Sequence, residues 1–187
     1  IGAEHILAKR AVNEDVAKRI CEIVKRAEED ALKMGVDLRG TQPTRGNIEG
    51  GITTIEEKSL GCILKAGRSP IQGVVEYAEQ PKGKGLWIMD TPGHDVQSVS
   101  GMVAGGAQLV LFSTGRGTPV GCPIAPVIKI TGNPKTWERM SDNIDINAGT
   151  IILGIETVEE VGRRIIKEML SVINGKMTKS EQLGHGE

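Results

Sequence analysis

Leu86-Trp87-Ile88-Met89-Asp90-Thr91-Pro92-Gly93-His94-Asp95 is the stretch whose reading decides the fold. A short apolar run ends in a polar loop containing glycine, and that loop opens a helix-like segment. The pattern returns twice. Residues 109–112 run into Ser113-Thr114-Gly115-Arg116-Gly117-Thr118-Pro119, and residues 127–130 run into Thr131-Gly132-Asn133-Pro134. Short buried strands of this kind read as a mainly parallel sheet, whose ligands bind beyond the strands' carboxyl ends. The loops at 91–95, 113–119 and 131–134 are therefore the expected working surface. The chain reads as one α/β domain over 1–187, with 1–12 an arm or remnant of a preceding region and 176–187 a frayed tail.

Composition narrows the function classes. Lys and Arg (23) nearly balance Asp and Glu (24), so no global field recruits nucleic acid or an anionic membrane. Two Trp, one Tyr and one Phe leave no stacking platform for a single strand. Glycine is abundant at 25 of 187 residues, against an average of roughly 7%, and it clusters in loops where a backbone can approach a ligand. Cys21, Cys62 and Cys122 are too few and too spread for a zinc motif or disulfide framework, and read as buried free thiols in a reducing cytoplasm. No apolar run reaches the length of about 18 residues that spans a bilayer. The chain starts with Ile rather than Met, so it reads as a fragment of a longer chain or as a processed one.

Helices announce themselves by their caps. Asn13 precedes Glu14 and Asp15, where the helix dipole favours anions; Val16, Ile20, Ile23, Val24, Ala27 and Ala31 follow at helical spacing, and Gly35 stops the helix. Thr54 and Glu57 form a capping box closed by Gly67, and Thr157 with Glu160 form another closed by Gly175. In the latter helix Val161, Ile165, Met169, Leu170 and Ile173 are expected to line one face. A helix is expected at roughly 95–106, and another capped by Asn133 with Trp137 and Met140 on its buried side. Residues 69–80 are open between a short helix and a strand.

Three stretches carry chemistry. Residues 36–53 read as a long, functional loop, and Gly50-Gly51-Ile52-Thr53-Thr54 delivers it into a helix N-terminus whose N–H groups attract an anion. Arg116, flanked by Gly115 and Gly117, presents a fork that matches carboxylate or phosphate. Asp142-Asn143-Ile144-Asp145-Ile146-Asn147 supplies hard oxygens suited to a divalent cation, or ordinary turn chemistry. No dinucleotide or nucleoside triphosphate motif occurs.

Arg45-Gly46-Asn47-Ile48-Glu49-Gly50-Gly51-Ile52-Thr53-Thr54-Ile55-Glu56-Glu57-Lys58-Ser59-Leu60-Gly61 resembles a signature of the altronate/galactarate dehydratase family. So do Phe112-Ser113-Thr114-Gly115-Arg116-Gly117-Thr118-Pro119 and Asp145-Ile146-Asn147-Ala148-Gly149, and Gly2-Ala3-Glu4-His5 resembles the motif that precedes them. The resemblance implies a carbon–oxygen hydro-lyase that removes water from a sugar acid to give a 2-keto-3-deoxy acid. It further implies a divalent metal, Fe(II) or Mn(II), a modified Rossmann-like three-layer domain and a homo-oligomeric cytoplasmic enzyme. Ile48-Glu49 and His94 depart from the altronate pattern. A sulfolactate-cleaving branch is similar to the same family, so sulfite is the alternative leaving group; a non-catalytic sugar-acid-binding module is the alternative from another class.

On that resemblance, Arg116 and the N–H groups of Gly50, Gly51, Thr53 and Thr54 are expected to bind substrate, with Gly115, Gly117 and Thr118 beside them. Asn47, Glu56 and Asp145 are the expected metal ligands. Lys58 or His5 is the expected proton-transfer group, with Glu56 as a further catalytic candidate.

Overall fold

Asn13 starts the longest helix because its side chain accepts the Val16 N–H at 2.9 Å, satisfying a donor the helix cannot. A computed structural model describes residues 1–49 and 51–186. The fold is mixed α/β with parallel strands. Where the sequence reads as one domain, the chain divides into two compact units, Ile1–Asp90 and Thr91–Glu187. No helix among the described residues is long and apolar enough to cross a membrane.

The first unit contains α1 (Glu4–Ala8), α2 (Glu14–Lys33), α3 (Leu38–Thr41), α4 (Arg45–Glu49), α5 (Ile55–Lys65), β1 (Ile71–Val75) and β2 (Leu86–Met89). After α2, Gly35 takes φ +78°, which lets the Val36 N–H reach back to the Ala31 carbonyl and close the helix. Only Ile20, Ile23 and Ala31 of α2 are fully buried; Ala27 is exposed, as are the thiols of Cys21 and Cys62. The buried-thiol expectation thus fails at two of three cysteines, Cys21 because it sits one residue past Ile20 and so about 100° off the buried face. The stretch at 36–53 is not a bare loop, since α3 and α4 lie within it. The open segment at 69–80 contains β1, which pairs with β2 in parallel. A Cβ on Gly73 would lie 2.3 Å from the Trp87 ring, so glycine there is what lets the indole cross the strand.

The second unit contains α6 (Asp95–Ala104), β3 (Val110–Ser113), β4 (Val127–Thr131), α7 (Pro134–Met140), β5 (Ile146–Asn147), α8 (Val158–Ile173) and α9 (Lys179–Gln182). Its strands form a parallel sheet in the order β3-β4-β5. The quoted strand 86–89 therefore does not join the other two; it belongs to a separate two-stranded sheet. Alternation along β4 gives each face its own core. Val127 packs with Val99, Val110 and Val120, whereas Ile128 packs with Ile146 and Val172. Helix, sheet and helix thus stack in layers around β4.

Two expectations about α7 and α8 are corrected. Thr136 is the buried residue of α7, while Trp137 and Met140 are half-buried, and the Lys179 ammonium sits 5.1 Å from the Trp137 ring centroid. The capping box at Thr157 and Glu160 forms, but Leu170 and Ile173 of α8 are exposed and Val172 takes their place in the core. A helix turn of 3.6 residues carries Val161 to Ile165, Met169 and Val172, and leaves Leu170 and Ile173 on the adjacent stripe. The tail is also not frayed through residue 186. Thr178 and Glu181 form a capping box for α9, and Thr178 and Ser180 are fully buried.

Candidate functional site

In the first unit the motif residues gather around the start of α5. Thr54 caps the helix by accepting the Glu57 N–H at 3.1 Å. The Glu57 carboxylate in turn accepts the N–H and the hydroxyl of Thr53, both at 2.7 Å. Those two bonds hold the Glu57 carboxyl below the usual carboxylate range. The Gly51 N–H donates to the Ile48 carbonyl and the Ile52 N–H to the Asn47 carbonyl. The expected anion cradle at 50–54 is accordingly not open at Gly51 or Thr53, because the chain's own carbonyls and Glu57 already take those donors. Gly50 lies outside the described residues.

Lys58, one residue further, donates to Gln42 Oε1 at 2.9 Å and to Asn47 Oδ1 at 3.0 Å, in a half-buried position. Both acceptors are neutral amides, so its charge is not cancelled by a carboxylate. Asn47 Oδ1 also accepts the Thr44 N–H and hydroxyl. Glu56 instead pairs with Arg39 at 3.4 Å, and Arg39 pairs with Glu28 at 2.9 Å. The N-terminal motif is brought against this turn: a Cβ on Gly2 would lie 2.7 Å from Glu56 Cγ, and the Ser59 hydroxyl donates to the Ile1 carbonyl at 2.7 Å.

Within that motif His5 is exposed, whereas Glu4 has a buried carboxylate oxygen with no hydrogen-bond partner among the described residues. Burial works to raise the Glu4 pKa, but backbone N–H bonds at Glu4 and Gly2, with His5, leave it lowered. Glu4 and Gln42 thus stand beside the candidate residues without having been read as candidates from the sequence. Glu4 stood beside His5 in a quoted motif, and Gln42 had no signal because it meets Lys58 only through the fold.

The carboxyl ends of β1 and β2 are occupied by structural ion pairs. Glu76 follows β1 and Asp90 follows β2; Arg26 of α2 pairs with both, at 2.8 Å from Glu76, and Arg19 also pairs with Glu76.

In the second unit the loop after β3 is organised by α7. Thr136 Oγ1 and Asn133 Nδ2 donate to the Gly115 carbonyl at 2.6 and 3.2 Å, and Arg139 donates to the Arg116 carbonyl at 3.4 Å. Gly117 takes φ +87°, and a Cβ there would lie 2.3 Å from Met140 Sδ, so this turn admits only glycine without a shift. With its backbone held this way, Arg116 is exposed, and its guanidinium has no hydrogen bond or ion pair among the described residues. Thr118 points the other way. It is 4% exposed and its hydroxyl accepts the Val120 N–H at 3.4 Å, a structural position rather than a ligand contact.

Asp145 is likewise committed. Its two carboxylate oxygens accept the backbone N–H groups of Lys129 at 2.7 Å and Lys179 at 2.9 Å. Asn47 Oδ1 accepts three donors and Glu56 is paired to Arg39, so each of the expected ligands Asn47, Glu56 and Asp145 has its oxygens engaged within its own unit. No cluster of three or more His, Cys, Asp or Glu suited to a metal occurs among the described residues.

The second unit is thus a layered α/β unit whose sheet ends in a glycine-rich loop that exposes Arg116. Residues 1–187 match the family described as D-galactarate/Altronate dehydratase, C-terminal, and the chain belongs to that family. It is 42% identical over 189 residues to the beta subunit of (2R)-sulfolactate sulfo-lyase from Chromohalobacter salexigens, covering 100% of this chain and 48% of that one. It is 42% identical to galactarate dehydratase (L-threo-forming) from Escherichia coli and 39% identical to altronate dehydratase from Bacillus subtilis, covering 97% of this chain and 35% and 36% of those proteins. The chain therefore spans about half or less of the length of the curated relatives it matches, whose names are those of lyases.

Proposed function

We propose that this chain is part of a dehydratase that eliminates water from a sugar acid such as altronate or galactarate. The observation that carries the reading is Arg116: an exposed guanidinium, unpaired among the described residues, on a loop whose backbone is fixed by α7. In the elimination a base takes the proton α to the carboxylate, and the C2 electron pair forms a C2–C3 double bond as the C3–O bond breaks. The hydroxyl leaves with a proton as water, and the enol gains a proton at C3 to become a 2-keto-3-deoxy acid. Arg116 pairs with the carboxylate in a bidentate fork and strengthens its hold as charge grows in the enediolate. Lys58, whose Nζ is held by two neutral amides, is the proton-transfer group and takes the α-proton as the free amine; His5 is exposed and Glu56 is paired with Arg39. The Fe(II) or Mn(II) implied by the family would supply Lewis-acid stabilisation of the enediolate. Asn47, Glu56 and Asp145 are each already engaged by partners of their own.

The match of the whole of this chain to 48% of the sulfo-lyase beta subunit supports a second reading. There the same α-proton is removed and the same carboxylate is held, but a C–S bond breaks and sulfite leaves. One experiment separates the readings. The whole protein is incubated with Fe(II) or Mn(II) and a panel of aldonates, aldarates and sulfolactate, following 2-keto-acid formation and sulfite release. Keto acid from an aldonate or aldarate without sulfite supports the dehydratase, and sulfite from sulfolactate alone supports the second reading. Binding without turnover under every metal condition leaves a sugar-acid-binding module and overturns both.

A further inference from the structure

The Arg116 loop is held from two directions, and α7 accounts for only one. At its far end the Pro119 carbonyl accepts two donors: the Lys129 ammonium at 3.2 Å and His185 Nδ1 at 3.0 Å. A carbonyl only accepts, so His185 carries its proton on Nδ1. Lys129 is 0% exposed and lies in the middle of β4, a costly place for an ammonium. Burial pushes its pKa down, against a smaller opposing pull from Asp145. The Pro119 carbonyl is the one hydrogen-bond acceptor its ammonium has among the described residues.

His185 arrives from the C-terminal segment, which is itself docked on β4. The Lys179 N–H donates to Asp145 at 2.9 Å, the Ser180 hydroxyl donates to the Val127 carbonyl at 3.4 Å, and the His185 N–H returns to the Ser180 carbonyl at 2.9 Å. The approach is so close that a Cβ on Gly121 would lie 2.1 Å from the His185 carbonyl oxygen. The segment therefore closes over the backbone that leaves the Arg116 loop, at residues 119–121.

We propose that Thr178, α9 and His185 form a latch that, with the buried Lys129, fixes the exit of the Arg116 loop and so sets where its guanidinium points. Lys129 and His185 are positioning residues in this scheme: they act on the loop and touch no substrate. The consequence for turnover rests on the reading of Arg116 as the carboxylate anchor, whereas the latch itself does not.

The test uses the whole protein with His185→Ala, His185→Asn, Lys129→Met and Gly121→Ala, following amide hydrogen exchange over 113–120 and steady-state kinetics on the accepted sugar acid. His185→Ala should speed exchange there about threefold to tenfold and raise KM by a similar factor with kcat little changed, the size of one lost hydrogen bond. His185→Asn, whose amide N–H can take the place of Nδ1–H, should restore both. Gly121→Ala should reproduce the alanine effect by pushing the segment away. Unchanged exchange in His185→Ala overturns the latch whatever turnover does, and unchanged exchange in Lys129→Met removes Lys129 from it. Faster exchange with unchanged KM in both His185→Ala and Arg116→Ala overturns the Arg116 reading instead and leaves the latch standing. Faster exchange with unchanged KM in His185→Ala alone, while Arg116→Ala raises KM, overturns the positioning role.

Discussion

Asp145 and Lys129 grip each other's backbone in both directions. The Asp145 carboxylate accepts the Lys129 N–H at 2.7 Å, and the Asp145 N–H donates to the Lys129 carbonyl at 3.0 Å. Since the other carboxylate oxygen takes the Lys179 N–H, this side chain joins β4 to the segment before β5 and to the start of α9. Asp145→Ala should therefore cost about 1.5–3 kcal/mol of stability, the range for hydrogen bonds to a charged group. Chemical denaturation checks this. A variant of unchanged stability that loses metal affinity would restore Asp145 as a ligand.

Arg116→Ala should raise KM for the sugar acid at least tenfold, because a charged hydrogen-bonded pair is lost at the substrate. Arg116→Lys should recover only part of the loss, since an ammonium cannot make the bidentate fork. Steady-state kinetics on the whole protein decide it; a change below tenfold in the alanine variant removes the carboxylate role.

Lys58→Met should lower kcat by about a hundredfold or more, the usual yield of a positioned proton-transfer group. KM should move less. Gln42 and Asn47, which hold the ammonium, should give intermediate losses as Gln42→Ala and Asn47→Ala. Full turnover by Lys58→Met, with an unchanged melting temperature, would move the role to another residue, with Glu4 the next to test.

Glu160 supplies a pH-dependent contribution whose sign is fixed. The Thr157 N–H, with the Thr157 hydroxyl, depresses its carboxyl in the folded state relative to the unfolded one. Its stabilising contribution is therefore present above the ordinary glutamate range and is lost as pH falls through the depressed value. Unfolding curves of wild type and Glu160→Gln should differ near neutrality and converge in acid. A gap that persists below that range would show that the cap acts through packing rather than charge.

Much of this fold was legible because it is encoded locally. Asn13, Thr157 with Glu160, and the glycines at 35 and 175 mark helix ends through bonds within a few residues, and the structure places the ends there. Leu86–Met89, Val110–Ser113 and Val127–Thr131 were readable as strands from their apolar runs, but which strands share a sheet was not. The glycine pattern around Arg116 pointed to an open guanidinium. Thr118, two residues on in the same motif, turned out to be buried.

The division follows from the range of the interactions. Caps, turns and strand runs are decided by neighbours in the chain, so the amino-acid sequence by itself determined the long helices, the strands after residue 85 and the family, but not the short helices at 38–49 and 179–182. Whether a polar side chain is free for chemistry depends on which distant groups reach it first. Glu57 taking the Thr53 N–H, Asp145 taking two amides, and Lys129 and His185 meeting on Pro119 were decided only when the chain folded. A buried donor or acceptor must find a partner, and tertiary structure chooses which one.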